Sequence, residues 1–268
     1  MNAFPASTDT GLEVIDLQHD EAFAARPPHG RDIAVQIDAM ERIARAFVES
    51  PETILQELVN SAVLLCGADS AGISVQEVDD SDKPFYHWVA TAGAYSDFLG
   101  AILPLHPSAC TICLARDGPQ HFRVGQAFFD LLGIDAPLVT DGILLPWHVD
   151  ETRGTIFVMA HGRTEAFNQD DCRLMQVFAG FAAMGIRQQR QHRLLLERAT
   201  AAAAVAMAND LAHKINNPLQ GLTNLLYLAA EGHHGEGARV LGREAEGDLK
   251  KLSSLVGTLL QLPYRERP

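Results

Sequence analysis

The chain has 268 residues, 47% of them hydrophobic, and a formal net charge of −13. That length holds one large domain, or a medium domain with a smaller module, and enough apolar residues for a core. The acidic balance, with no basic stripe against it, excludes nucleic acid or an anionic membrane as the main partner. No apolar run approaches the ~20 residues that span a bilayer, and Met1-Asn2-Ala3-Phe4-Pro5 begins no secretory signal. Cys66, Cys110, Cys113 and Cys172 are too few for a disulfide framework. A cytoplasmic protein with reduced thiols is expected.

Residues 1–30 are polar, contain Pro27-Pro28-His29-Gly30 and lack periodicity, which predicts a disordered leader. Ile33, Ile37, Met40, Ala44 and Phe47 then recur at spacings of four and three, an apolar helical seam. It can face the chain's own domain or a second copy. Ser50-Pro51-Glu52 is a helix start, with a capping serine and proline at the first helical position. Ile54, Leu55, Leu58, Val59, Ala62 and Leu65 form that helix's inner face, and Gly67 stops it. Ala71–Val78 and Phe85–Thr91 read as a hairpin across the turn Asp79-Asp80-Ser81-Asp82. Residues 92–136 read as irregular. Leu138–Trp147 and Gly154–His161 give two more strands, the second central because Thr155–Ala160 is almost wholly apolar. Asn168 caps a long helix with Leu174, Phe178 and Phe181 inside and Ile186 near the end of that stripe.

This order predicts α+β architecture, an antiparallel sheet covered by helices. Residues 50–190 resemble a GAF domain. The likeness lies in the opening helix, Ala71-Gly72-Ile73-Ser74, Arg153-Gly154-Thr155-Ile156, and Phe167-Asn168-Gln169-Asp170-Asp171 leading to Leu174. It implies a small-molecule cavity between sheet and mid-domain loops, with a regulatory and non-catalytic role. With the helix before it, the sensory domain spans 31–190.

Between residues 168 and 231 the one firm breaker is Pro218. One helix of roughly 95 Å is therefore predicted as a mechanical connector. From Ala201 its seam runs Val205, Ala208, Ala212, Ile215, Leu219, Leu222, Leu226 and Ala229, a heptad pattern. Gly232-His233-His234-Gly235 breaks the helix, and Ala245, Leu249, Leu252, Val256 and Leu259 give a second seam. A helical hairpin follows, and two hairpins from two chains complete a four-helix bundle, so a homodimer is expected. His213 follows a seam residue and belongs at the edge of that core, towards water.

Residues 200–262 resemble the dimerisation and histidine phosphoacceptor domain of two-component sensor kinases, whose hallmark reads His-Glu-Ile-Asn-Asn-Pro-Leu. Here it reads His213-Lys214-Ile215-Asn216-Asn217-Pro218-Leu219. The resemblance implies that His213 attacks the γ-phosphate of ATP and passes the phosphoryl group to an aspartate of a response-regulator receiver domain. It further implies that Pro218 loosens the helix and that Asn217 places a water for dephosphorylation. The departure is Lys214, where the family has an acid that accepts the proton on the other ring nitrogen; a cation cannot do that. After Pro263 only Tyr264–Pro268 remain and no glycine-rich phosphate loop is present. Phosphate is thus expected from a separate kinase catalytic domain, unless the chain is a piece of a longer kinase, and whether it is itself an enzyme stays open.

Weaker candidates are Trp88, Cys110 and Cys113 as ligand-binding residues. Cys110-Thr111-Ile112-Cys113 lacks a second cysteine pair for zinc, so no metal is expected. Leu114, where bilin-binding relatives place a histidine after the attachment cysteine, speaks against a bilin. His87, His106 and His121 read as strand and loop side chains, and Trp147 as core. Three domains result: leader 1–30, sensory domain 31–190 and phosphoacceptor hairpin 191–268. The expected function is phosphorelay signalling, with no cofactor in the chain beyond an unknown small molecule in the GAF domain. The alternative is a non-catalytic dimerisation module that binds response regulators or a full-length kinase.

Overall fold

The structure, a computed structural model, describes residues 10–28, 30, 32–230 and 236–260. It divides into two units, residues 1–192 and 193–268. The first holds the strands β1 (Leu12–Asp16), β2 (Ser70–Val78), β3 (Pro84–Gly93), β4 (Ile102–Pro104), β5 (Gln120–Val124), β6 (Val139–Val149) and β7 (Thr152–Ala160). Its helices are α1 (Glu21–Ala24), α2 (Ile33–Glu49), α3 (Ile54–Cys66), α4 (Ala109–Arg116), α5 (Gln126–Leu132) and the start of α6 (Gln169–Ala230).

The strands form one antiparallel sheet in the order β1-β5-β6-β7-β2-β3-β4. The apolar strand β7 is central, as its sequence requires. Successive side chains of a strand face opposite sides, and here both sides are apolar. Ile156, Val158 and Ala160, with Ile143, Leu145 and Trp147, join the helix-covered core of α2, α3 and α6. Phe157, Met159 and Leu144 face a second core with residues of α4, α5 and β5. The antiparallel sheet with flanking helices expected from sequence is therefore present.

The α3 face is as predicted, and Gly67 ends that helix in the left-handed region at φ 59°. At its start Ser50 makes no side-chain cap; a single 3-10 turn, Pro51–Thr53, leads in instead. Asn168 does cap α6: its Oδ1 accepts from the amides of Asp170 and Asp171, and Asp171 Oδ2 accepts from Asn168 N at 2.9 Å.

Several further expectations need correction. The disordered leader does not hold for residues 10–28: β1 pairs with β5, and Phe23 is fully buried; residues 1–9 and 29 lie outside the described residues. Residues 92–136 are not irregular; they carry β4, α4, β5 and α5. On α2 the buried residues are Ala39, Ile43 and Ala46, with Met40 and Phe47 partly buried against the core, whereas Ile33, Ile37 and Ala44 are exposed.

The second unit holds the remainder of α6, with Pro218 inside it, and α7 (Glu236–Leu260). The predicted breaker 232–235 lies outside the described residues. Leu211, Ile215, Pro218, Leu222 and Leu225 are the shielded positions of α6 here, and Ala245, Asp248, Leu252 and Leu255 those of α7. Gly221 is where the helices approach: a Cβ there would collide with Asp248 Oδ2. The sequence seam is thus rotated. Ile215 and Leu222 belong to the shielded stripe, but Val205, Ala208, Ala212, Leu219 and Leu226 are exposed, as is Leu249 of the second seam. The side chains of Ala229, Val256 and Leu259 are outside the described residues.

Candidate functional site

The first unit contains a cavity of about 110 Å³ between the sheet and the segments around α4 and α5. Strands β3 and β7 present Trp88 and Phe157 to it; Tyr95, Phe98, Phe122 and Phe129 add aromatic wall. Trp88 stacks on Tyr95 at 6.1 Å and meets Phe157 at 5.0 Å, ring centre to ring centre. Among the described residues no charged side chain lines this space. The Tyr95 hydroxyl donates to Pro137 O at 2.6 Å, while Trp88 Nε1 is buried without a hydrogen-bond partner.

Of the sequence candidates for ligand binding, Trp88 and Cys110 line the cavity; Cys113 does not. Cys113 Sγ instead lies 3.5 Å from Gly118 O. Burial pushes both thiols upward, with hydrogen bonds from Thr155 and Ser74 opposing it at Cys110. All four cysteines are buried and none is in a disulfide. Neither Cys110 nor Cys113 is therefore a ready thiolate for covalent attachment or metal. Among the described residues no cluster of three His, Cys, Asp or Glu could hold a metal ion.

Sequence reasoning missed a buried polar hub. Asp141 on β6 accepts from Arg26 Nη1 at 2.8 Å and Nη2 at 3.2 Å, from the His121 ring at 2.6 Å, and from the Phe167 amide at 3.1 Å. Burial alone would raise the Asp141 carboxyl; His121 and Arg26 outweigh it and hold it at about 2. On its other side, His121 Nδ1 lies 3.3 Å from Asp20 Oδ2, without a hydrogen bond. His87, His106 and His121 are all absent from the cavity wall. Arg26 also donates to Phe167 O at 2.7 Å, and Asn168 Nδ2 to Pro27 O at 3.1 Å. The N-terminal segment is thereby tied to the first turn of α6.

In the second unit, His213, Asn216 and Asn217 are exposed and Pro218 is buried. His213 follows exposed Ala212 and precedes Lys214, whose Nζ lies 2.8 Å from Asp210 Oδ2, one turn back on the same helix. The Lys214 charge is thus met by a carboxylate. Lys214, Asn217 and Pro218 share a groove with Asp248 and Lys251 of α7.

No protein-family model and no curated protein matches the chain. Solved structures do. The GAF domain of an Acinetobacter phosphoenolpyruvate-protein phosphotransferase is 14% identical, with a TM-score of 0.45, over 58% of this chain and 95% of that one. The phycocyanobilin-bound GAF domain of a cyanobacterial phytochrome is 17% identical, with a TM-score of 0.44, over 59% and 96%. Residues 122 to 287 of a methyl-accepting chemotaxis protein are 17% identical, with a TM-score of 0.42, over 57% and 98%. At such identities the likeness concerns the fold, and no ligand, site or activity passes from those proteins to this chain. Among the described residues no helix is long and apolar enough to cross a membrane.

Proposed function

We propose that this chain is a signalling protein of a two-component phosphorelay, in which the first unit senses and His213 carries the phosphoryl group. The observation that supports this most is the placement of His213. It sits exposed on the helix, beside the bare apolar stripe of Val205, Ala208, Ala212, Leu219 and Leu226 and five residues before the buried Pro218. Proline removes one helical hydrogen bond and costs about 3 kcal/mol in a helix interior, so this segment can loosen where a catalytic domain must dock.

In the reaction an imidazole nitrogen of His213 attacks the γ-phosphorus of ATP held by a kinase catalytic domain. The N–P bond forms as the P–O bond to ADP breaks, and the proton on the other ring nitrogen leaves to solvent, because Lys214 cannot accept it. A receiver aspartate then takes the phosphoryl group. Asn217, one turn along the helix, orients water for dephosphorylation. The bare stripe is covered by a second copy of the hairpin, which completes a four-helix bundle, and the working site is the cytoplasm.

Incubation with a sensor-kinase catalytic domain and radiolabelled ATP tests the reading. Acid-labile label on the wild type and none on His213→Ala is expected; equal label on both overturns it. The second reading, a dimerisation module that binds regulators without chemistry, is favoured by one feature, the cation at Lys214. On that reading His213→Ala leaves receiver binding intact and no label forms on either protein.

A further inference from the structure

We infer that the first unit's cavity binds a small, uncharged, single-ring organic molecule that offers one hydrogen-bond acceptor to the Trp88 indole N–H. This rests on the reading of that unit as a sensor and names what it senses.

Size sets the first limit. A dry apolar cavity of roughly 150 Å³ is known to take benzene, and this one measures about 110 Å³. Being smaller but partly open to solvent, it has room for one ring with a short substituent extending towards the mouth; a tetrapyrrole is several times too large. The lining sets the second limit. With no Lys, Arg, His, Asp or Glu among the described lining residues, a phosphate or carboxylate would be desolvated with no counter-charge, which strongly disfavours the ion. The aromatic wall of Trp88, Tyr95, Phe98 and Phe157 accepts a flat ring by stacked or edge contacts.

Polar satisfaction sets the third. The Tyr95 hydroxyl is already engaged with Pro137 O, and Cys110 Sγ already accepts from Thr155 Oγ1 at 3.3 Å. Trp88 Nε1 is the buried donor of this wall that has no partner. The other buried indole N–H without one, Trp147 Nε1, belongs to the opposite core. A buried N–H is a donor only, so the ligand must bring an acceptor.

The test is calorimetric titration of the full chain with four probes: acetophenone, toluene, benzoate and cyclic GMP. Saturable binding of acetophenone at one site is expected, with toluene weaker by several-fold up to about tenfold, the worth of one neutral hydrogen bond. Benzoate and cyclic GMP should not bind. Trp88→Phe should weaken acetophenone more than toluene, so that the gap between the two closes, and the toluene binding that remains shows that the variant is folded. Ala136→Leu, which fills the cavity from another wall, should abolish both.

Absence of saturable acetophenone binding, equal acetophenone affinity in Trp88→Phe, or preference for either anion overturns the inference. The labelling of His213 is read separately. Loss of the ligand result with labelling intact sinks the ligand class alone, whereas ligand binding with no label on His213 sinks the phosphoacceptor reading and leaves the ligand class standing.

Discussion

Arg26 and Asp141, 115 residues apart in sequence, meet as a bidentate ion pair with both side chains almost wholly buried. The pair joins the N-terminal segment to β6, and through Phe167 to the foot of α6. Removing one partner strands the other charge in the core, at about 3–5 kcal/mol. Urea unfolding should show that loss for Arg26→Met and for Asp141→Asn. The double variant should lose clearly less than the sum, since neither charge is then left alone; additive losses would mean the two act independently.

The same carboxylate gives the first unit a defined acid limit. Held at about 2 in the folded chain, against about 3.9 when unfolded, Asp141 contributes stability that is fully present above pH 4 and lost as the pH falls towards 2. The amount is about 2–3 kcal/mol. The wild type should therefore lose stability between pH 4 and 2 more steeply than Asp141→Asn, as followed by circular dichroism; parallel curves would contradict this.

How much of this was legible in the sequence depends on what carries each element. Strand β7 was evident because Ile156–Ala160 is apolar on both faces of a covered strand. Strand β5 was not: its buried residues include Gln120 and His121, polar side chains that are tolerable there only through Arg116, Asp141 and backbone carbonyls. The N-terminal segment looked disordered because it is anchored by Phe23 and one arginine, and a charge gives no periodic pattern. On α6 the spacing gave the heptad but not its phase. Two adjacent apolar stripes run down that helix beyond residue 200, and among the described residues there the stripe through Pro218 is the shielded one.

Burial pushes the thiols of Cys110, Cys113 and Cys172 upward, Cys172 to about 11. Native protein at pH 8 should leave all four buried cysteines unreactive to a thiol-exchange reagent, and unfolding should release all four. Fast native reaction of Cys110, the thiol on the cavity wall, would reopen covalent attachment there.

The bare stripe bears on the homodimer. Leu226 is 71% exposed and Leu219 45% in the single chain, so replacing both with glutamate should leave the monomer's hairpin folded but convert a dimer to monomer in sedimentation equilibrium. Replacing the shielded Ile215 and Leu222 instead should unfold the hairpin. A wild type that is monomeric at high micromolar concentration would contradict the bundle.

The most direct measurement of the central claim is peptide mapping by mass spectrometry, under alkaline conditions that preserve N–P bonds, after exposure to a kinase catalytic domain and ATP. The phosphoryl group is expected on the peptide holding His213, absent in His213→Ala and discharged when a receiver domain is added. A chain that takes up no phosphoryl group, or takes it up elsewhere, contradicts the account.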